Sequence, residues 1–511
     1  MNVISKVVCF FVFVSVALAQ KVPVTEHTLA NGMRVLLVER HDDPTVAGGW
    51  VAHVGSANER PGITGIAHLF EHMMFKGTPT IGTKDYPKDL EIIAEQEKVR
   101  TAMRGEEARM RQMWREGKLD DLTKPENKTD RYKELEKKFN ELIAEQRKIL
   151  VKNEFDLIYT TAGASGMNAF TTADLTGYFV TVPANKLELW MWMESERLLK
   201  PVFREFYAER DVVFEERRMR TDSTPLGKFA ETFEAMIWDS HPYGWPTVGW
   251  PSDIPAITKA QADEFYDLYY APQNLSLVLI GDFQSATATN LAHRYFGRIP
   301  KGKAETPDVI TWEIEQPAEK RMYGEAEANP QVDIIWHTVP FGHKDSYALS
   351  ILSQVLSTRT GRLYKGLVLG SKVATDVSAY PSHRKWAGTF GVSGEASEGQ
   401  TPEDVERAIY KELDRLKAED VPPEELQKVK NNFAASEYRR LTSNMSILMQ
   451  LIFNDGLGDW REINEAGPKQ QAVAAADIKR VANKYLTKEN RNVAIYTRKA
   501  GSPKTKETAS K

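Results

Sequence analysis

The sequence predicts an α+β protein built from a duplicated unit. Its 511 residues are too many for one ordinary core, and 41% hydrophobic with 27% charged residues is a globular composition. Both halves mix helical and antiparallel-type strand patterns in a similar order, and each half ends with a strand after a long helical region. The net charge of −4 provides no basic field, so no nucleic-acid partner is predicted.

Residues 1–19 have the features of a cleavable secretory signal. Lys6 precedes an apolar run over residues 7–16, and the triplet Ala-Leu-Ala at 17–19 is a small-residue cleavage site. The run is short for a membrane span, although an uncleaved anchor is the alternative. The single cysteine, Cys9, lies inside this run, so the mature chain is expected to contain no disulfide and no thiol ligand. A periplasmic or secreted protein without a stable membrane span is therefore expected.

Strand, turn and linker patterns indicate the domain boundaries. Asn31-Gly32 is a strong hairpin turn between apolar strands, and residues 168–182 alternate like a single strand. Residues 298–318 are rich in Pro, Lys and Glu, which is typical of a linker. The predicted segments are a first domain at 20–297, a linker at 298–318, a second domain at 319–498 and a disordered polar tail at 499–511.

Residues 86–153 form a separate charged segment within the first domain. Its second half has apolar or neutral residues at steps of three and four, which is a heptad seam. These residues are Tyr132, Leu135, Phe139, Leu142, Gln146 and Ile149. The pattern predicts an inserted antiparallel helical hairpin. Two interpretations of it stay open: a solvated insertion without chemistry, and an arm that docks a partner or gates a chamber.

The strongest chemical signal is the pentapeptide His-Leu-Phe-Glu-His at residues 68–72. Residues four apart share one face of a helix, so His68 and His72 can reach the same ion. Zinc suits two imidazoles and a carboxylate, with a fourth position open for water, and Glu71 is placed to act as the general base. With 10 His in 511 residues, chance would produce such a pattern about 0.03 times, so a core helix with two unrelated histidines is the weaker reading. One zinc ion per chain is expected.

A third protein ligand is expected from the acidic segment at residues 209–216. Glu209 and Glu216 lie seven residues apart, which is two helical turns, so both face the same side of a helix. Spacing alone does not choose between Glu209, Glu215 and Glu216. A surface salt bridge is the alternative role for any one of them.

Together these segments resemble the pitrilysin–insulinase family of inverted zinc peptidases, which includes the mitochondrial processing peptidase. The matching segments are residues 65–78, 168–171, 209–216, 241–244 and 270–274. The resemblance implies that Glu216 is the third zinc ligand and that Glu209 supports the site. It also implies that Asn168 and Ala169 lie on a substrate-binding edge strand. The implied fold has two homologous α+β domains, each a largely antiparallel sheet packed with helices, of which the first is active and the second degenerate.

One departure from the family pattern concerns its partners. Active units of the family carry an Arg and a Tyr, seven residues apart, in the later domain, but these positions are Val368 and Thr375 here. Arg362 and Tyr364 fall elsewhere in the pattern. The resemblance therefore implies the zinc-bearing subunit of a heterodimer whose metal-less sister subunit carries the Arg/Tyr pair, with a homodimer as the alternative.

The expected function is zinc-dependent endoproteolysis of peptides or unfolded protein segments. Two other functions stay open. One is a non-catalytic assembly or chaperone-like subunit of the same family. The other is a structural zinc site, which four protein ligands would close.

Overall fold

The computed structural model describes residues 21–122 and 124–499. The predicted signal at 1–19 and nearly all of the predicted tail lie outside these residues, so both stay predictions. The described chain is a mixed α+β structure with two sheets, which confirms the predicted fold class. None of the described helices has the length and apolar character needed to cross a membrane.

The strands form one sheet in each half of the chain. Those of the first sheet are β1 (Thr25–Thr28), β2 (Arg34–Glu39), β3 (Thr45–Ala52), β4 (Ser165–Thr171), β5 (Thr176–Pro183) and β6 (Leu275–Gly281). Those of the second sheet are β7 (Lys320–Ala326), β8 (Gln331–Thr338), β9 (Ala374–His383), β10 (Gly388–Ala396) and β11 (Arg491–Arg498). The spatial orders are β1-β2-β6-β3-β5-β4 and β7-β11-β8-β10-β9.

Apart from the additional strand β1 at the edge of the first sheet, the two sheets share one topology. β2 pairs with β6 in parallel, as β7 does with β11, and the remaining neighbours in both sheets are antiparallel. β4 and β9 therefore occupy equivalent edges. This correspondence confirms the predicted duplication, while the predicted domain boundaries stay predictions.

The helices surround these sheets. In the first half they are α1 (Ile66–Met73), α2 (Tyr86–Arg115), α3 (Asp130–Ile149), α4 (Glu154–Thr161), α5 (Leu187–Leu199), α6 (Phe206–Arg217), α7 (Gly227–Ile237), α8 (Lys259–Tyr269) and α9 (Ser285–Tyr295). In the second half they are α10 (Lys344–Ser357), α11 (Pro402–Ala418), α12 (Pro423–Arg440), α13 (Asn444–Leu457), α14 (Glu462–Gln471) and α15 (Ala475–Tyr485).

The prediction of one continuous strand over residues 168–182 is wrong. The segment folds into β4 and β5 around a turn, in which the Thr172 hydroxyl accepts hydrogen bonds from the backbone N–H groups of Asp174 and Leu175. Threonine side chains of this kind compete with ladder pairing and favour turns. Because of this turn, β4 doubles back to become the edge of the first sheet.

Each half also covers the sheet of the other half with a helix. Four buried residues of α13 pack on the first sheet, and α7 packs through Phe233 and Ile237 against Ile335 and Tyr496 of the second sheet. The α13 residues are Ile447, Leu448, Leu451 and Ile452. A Cβ atom at Gly49 of β3 would lie 3.0 Å from the Ile452 side chain, so the glycine permits this close approach.

The charged segment forms the predicted helical hairpin from α2 and α3, and none of the six seam residues is exposed. Its base contains a buried polar network. Gln146 donates to one oxygen of Asp89 at 2.8 Å, and Arg204 donates to the other at 2.5 Å. Arg204 also donates to the carbonyls of Lys76, Thr78 and Ile81, so the hairpin is tied to the loop that follows α1.

Candidate metal centre

The helix α1 carries the predicted His pair and is fixed at its N-terminus by two carboxylates from outside the helix. Glu59 accepts hydrogen bonds from the backbone N–H groups of Gly65 and Ala67, at 2.9 and 2.8 Å, and Asp253 accepts from Gly62 and from the Thr64 hydroxyl. Carboxylates at this end satisfy otherwise unpaired donors and complement the helix dipole. Gly65 has a left-handed φ of 91°, and a Cβ there would lie 2.5 Å from a backbone oxygen.

His68, His72 and Glu216 converge on one point. Their ligand atoms all lie within 4.8 Å of one another. Nε2 of His72 is 3.3 Å and Nε2 of His68 is 3.8 Å from the same Glu216 oxygen. Tetrahedral zinc ligands at bond lengths of about 2.1 Å lie about 3.4 Å apart, so the three residues fit a zinc ion without large rearrangement.

The two imidazoles differ in their environment. Burial, together with the charges of His72 and Arg220, lowers the pKa of His68 to about 3, so its ring is neutral at physiological pH, as a metal ligand must be. Nδ1 of His68 is buried without a hydrogen-bond partner among the described residues. Packing therefore sets the orientation of this ring.

His72, by contrast, is held by a carboxylate. Its Nδ1 lies 2.9 Å from Glu209, whose other oxygen lies 2.5 Å from the ammonium of Lys76. Burial disfavours the protonated ring, but the hydrogen bond and charge of Glu209 outweigh this and raise the pKa of His72. Such a partner fixes the ring and leaves Nε2 facing the metal position.

The general-base candidate, Glu71, accepts a hydrogen bond of 2.7 Å from the Thr171 hydroxyl at the end of β4. Burial raises its pKa, which this hydrogen bond partly opposes. A carboxylate with a raised pKa is a more effective proton acceptor at neutral pH. Thr171 thus connects the base to the edge strand.

The geometry separates the three glutamates that spacing left equivalent. Glu216 faces the histidines and Glu209 bonds to His72, whereas Glu215 is exposed and pairs with Arg218 at 2.9 Å. The second oxygen of Glu216 lies 2.8 Å from Arg220, in a π-helical turn, Arg218–Asp222, that continues α6. Among residues 21–122 and 124–499, the ligand group contains three residues, which leaves a fourth position open.

Asn168 and Ala169 lie on β4, the predicted substrate strand. They pair with Phe179 and Tyr178 of β5, and β4 has no neighbour on its other side within the described sheet. Its free edge can therefore accept another strand.

Sequence reasoning missed several residues around the centre: Glu59, Lys76, Thr171, Arg220 and Asp253. Lys76 and Arg220 follow His72 and Glu216 by one helical turn, so helical spacing could have indicated them. Glu59 and Asp253 act through loops, and no local sequence pattern announces such contacts.

An inverted His-x-x-Glu-His helix, a distal glutamate and a free sheet edge are the arrangement expected of a zinc peptidase. Comparisons with known families give the particular group. Residues 34–114 match Insulinase (Peptidase family M16), and residues 256–433 match Peptidase M16 inactive domain, so the two matches together cover about half of the chain. The chain belongs to peptidase family M16.

Individual proteins agree with this assignment. Zinc protease PqqE of Helicobacter pylori is 25% identical over 484 residues, which are 92% of this chain and 91% of that protein. A probable mitochondrial-processing peptidase subunit beta of Arabidopsis thaliana is 21% identical over 478 residues, 90% of this chain and 75% of that protein. The crystal structure of a protease from Helicobacter pylori has a TM-score of 0.75 at 22% identity and covers 93% of this chain and 99% of its own.

Proposed function

We propose that this chain is a zinc-dependent endopeptidase that cleaves peptides or unfolded protein segments. The observation that carries the proposal is the convergence of His68, His72 and Glu216, with Glu71 beside them and a free sheet edge next to Glu71. The name of the Helicobacter pylori relative, a zinc protease, supports the same chemistry.

Each part of the centre has a role in this reaction. Zinc, when bound by the three ligands, supplies a Lewis acid that activates water and polarises a carbonyl. Glu71 accepts the proton of the attacking water and later donates it to the leaving amine. Thr171 orients Glu71, Glu209 orients His72, and the backbone of Asn168 and Ala169 pairs with the substrate.

We further propose that the chain works with a homologous, metal-less sister subunit that carries the Arg/Tyr pair. Val368 packs against the second core, and Thr375 donates a hydrogen bond to Glu395. Neither side chain can supply a guanidinium or a phenol. Arg362 is held by Glu425, at 2.8 and 3.0 Å, in the second half. A homodimer is the competing arrangement.

A periplasmic or secreted location belongs to the same proposal. It rests on the signal pattern of residues 1–19. N-terminal sequencing of the protein recovered from its host tests this part, because cleavage after residue 19 is expected, and an intact Met1 would contradict it.

The experiment that tests the function is cleavage of a quenched, unstructured peptide by the zinc-loaded mature chain, alone and with candidate sister subunits. Glu71→Gln and chelator-treated protein are the negative controls. Glu215→Gln is the matched control, because Glu215 lies on the same helix as Glu216 but is exposed and faces away from the histidines.

Cleavage that disappears in Glu71→Gln and after chelation, but persists in Glu215→Gln, supports the peptidase. Cleavage only after a sister chain is added supports the heterodimer, whereas full activity of this chain alone excludes the need for one. A protein that binds one zinc but cleaves nothing with any partner would instead favour the non-catalytic subunit.

A further inference from the structure

A cavity of about 490 Å³ adjoins the metal centre. Glu71 and His72 form one part of its lining, and Asn168 and Ala169 of the edge strand form another. Successive side chains of a strand point to opposite faces, so a peptide paired with β4 and cleaved beside Glu71 would place a side chain in this cavity.

The inserted hairpin and the segment after it form another part of the cavity wall. Arg147 from the last turn of α3 and residues 150–153 line it, and Arg204 lines it from the segment between α5 and α6. The buried pair between Arg204 and Asp89 holds this wall in place. The base of the insertion is therefore part of the candidate active site, whichever role its distant tip has.

Two lining residues have an unusual backbone. Asn153 and Glu205 have left-handed φ values of 53° and 52°, and within the described residues only Lys372 is another non-glycine residue with positive φ. Such conformations cost free energy in residues with a side chain and are concentrated at functional sites. Both residues are the N-caps of helices, α4 and α6, and asparagine tolerates this conformation, so Glu205 is the strained position at the cavity.

Most charges in the cavity already have close partners. Lys76 pairs with Glu209, Arg204 pairs with Asp89 and three carbonyls, and Glu154 accepts a hydrogen bond from the backbone of Gly82. These groups satisfy each other and leave little capacity for a charged guest.

Two charged residues of the lining have no close partner among the described residues. Lys152 is exposed, so water solvates its charge, but Glu205 is not exposed. Its side chain is 21% exposed, it accepts no hydrogen bond from the described residues, and its nearest cation is Arg147, at 3.8 Å. The Arg147 side chain is 55% exposed, so this loose pair contributes little and opens readily. A cation in closer contact would stabilise a carboxylate with this little access to solvent.

We propose that this cavity is a subsite for a basic side chain of the substrate, arginine or lysine, and that Glu205 is its specificity-determining residue. The inference rests on the proposed peptidase function. The incoming cation replaces Arg147 as the partner of Glu205, and Arg147 moves to solvent. The aliphatic part of the guest side chain contacts Phe75 and Phe155, which also line the cavity.

The test uses a series of quenched peptides with a neutral sequence, in which a single arginine is moved along the chain. Each peptide is compared with its norleucine counterpart, and mass spectrometry locates the cleaved bond. For the wild-type protein, we expect one position relative to that bond at which arginine raises kcat/KM by about tenfold or more, the size of one charge-assisted contact. Glu205→Gln is expected to reduce this arginine-to-norleucine ratio to about one.

Two further variants make the result specific. Glu215 is an exposed glutamate of α6, so Glu215→Gln should keep the arginine-to-norleucine ratio of the wild-type protein. Glu205→Asn tolerates the left-handed backbone better than Gln and should lose the preference as well, and zinc content and Tm establish that both Glu205 variants are folded. A wild-type protein without arginine preference, or a preference that persists in both folded Glu205 variants, would overturn the proposal.

A binding measurement separates this proposal from the peptidase proposal. Fluorescence anisotropy with the labelled arginine and norleucine peptides is compared between Glu71→Gln and the double variant Glu71→Gln/Glu205→Gln. Tighter binding of the arginine peptide only where Glu205 is present supports the subsite even if no peptide is cleaved. Equal binding of both peptides by both proteins would refute it, even if cleavage is observed.

Discussion

Replacing Glu209 by Gln should weaken zinc binding although Glu209 is not among the three converging ligands. The change removes the charge that holds Nδ1 of His72 at 2.9 Å, and it removes the partner of Lys76. The Glu209 side chain is only 13% exposed, so solvent screens these contacts little. A hydrogen bond to a charged group contributes about 1.5–3 kcal/mol, and loss of a carboxylate behind a ligating His lowers metal affinity about 10- to 100-fold.

The assay is a zinc titration in competition with a chromophoric chelator at pH 7, for wild type, Glu209→Gln and Glu215→Gln. We expect a dissociation constant raised about 10- to 100-fold in the first variant and unchanged in the second. Circular dichroism and Tm establish that folding is intact. Equal affinities for wild type and a folded Glu209→Gln would refute the role of Glu209, because His72 would then be oriented without it.

Three further predictions concern other parts of the molecule. Arg220→Gln should change the zinc dissociation constant by less than about fivefold, because the Arg220 side chain is 73% exposed and its two effects oppose each other. The guanidinium holds Glu216, but its charge disfavours a second cation at the site, as it disfavours protonation of His68. A change as large as that expected for Glu209→Gln would contradict this. Leu448→Ala should lower the free energy of unfolding by about 2–5 kcal/mol, since Leu448 is fully buried on the first sheet. It should also speed amide hydrogen exchange in β3, and unchanged exchange there would contradict the packing of α13 on this sheet. Asp345→Asn should lower the free energy of unfolding by about 2 kcal/mol at pH 7. Burial opposes ionisation of Asp345, but hydrogen bonds from Tyr485, Arg480 and Lys484 outweigh this effect and lower the pKa of Asp345 to about 2. A carboxyl group whose pKa is depressed by folding stabilises the fold at pH values above its pKa in the unfolded chain, about 4. The difference in Tm between wild type and Asp345→Asn should therefore shrink as the pH falls from 5 to 2. A constant difference would contradict this prediction.

Secondary-structure elements that depend on a local sequence pattern were predictable from the sequence. The hairpin at Asn31-Gly32, the helix of His68 and His72, and the heptad seam of α3 all depend on residues within a few turns of each other. The duplication was also predictable, because the order of elements repeats along the chain. The strand break at Thr172 was missed, since the alternation of residue types continues across the turn. Only hydrogen bonds of the Thr172 backbone and hydroxyl, seen in the structure, mark the turn.

The long-range contacts that give the site its shape were not predictable in this way. The packing of α7 and α13 on the opposite halves depends on complementary surfaces about 100 residues or more apart in the sequence, and Gly49 marks the α13 contact only after the packing is known. Sequence spacing did not show which of Glu209, Glu215 and Glu216 binds zinc. A spacing of seven residues indicates a shared helix face, but it does not indicate which residues that face contacts in the folded protein.

The metal centre thus combines a pair of ligands that are close in sequence with contacts from other segments that position their helix. His68 and His72 share a face because of helical spacing, but the position of their helix depends on Glu59 and Asp253. Part of the wall of the adjoining cavity depends on the inserted hairpin. If this division is correct, the pentapeptide determines which metal binds, and remote segments determine which substrate is accepted. Substitutions at the base of the hairpin should therefore change the choice of peptide more than they change zinc affinity, whereas Glu209→Gln should change zinc affinity first.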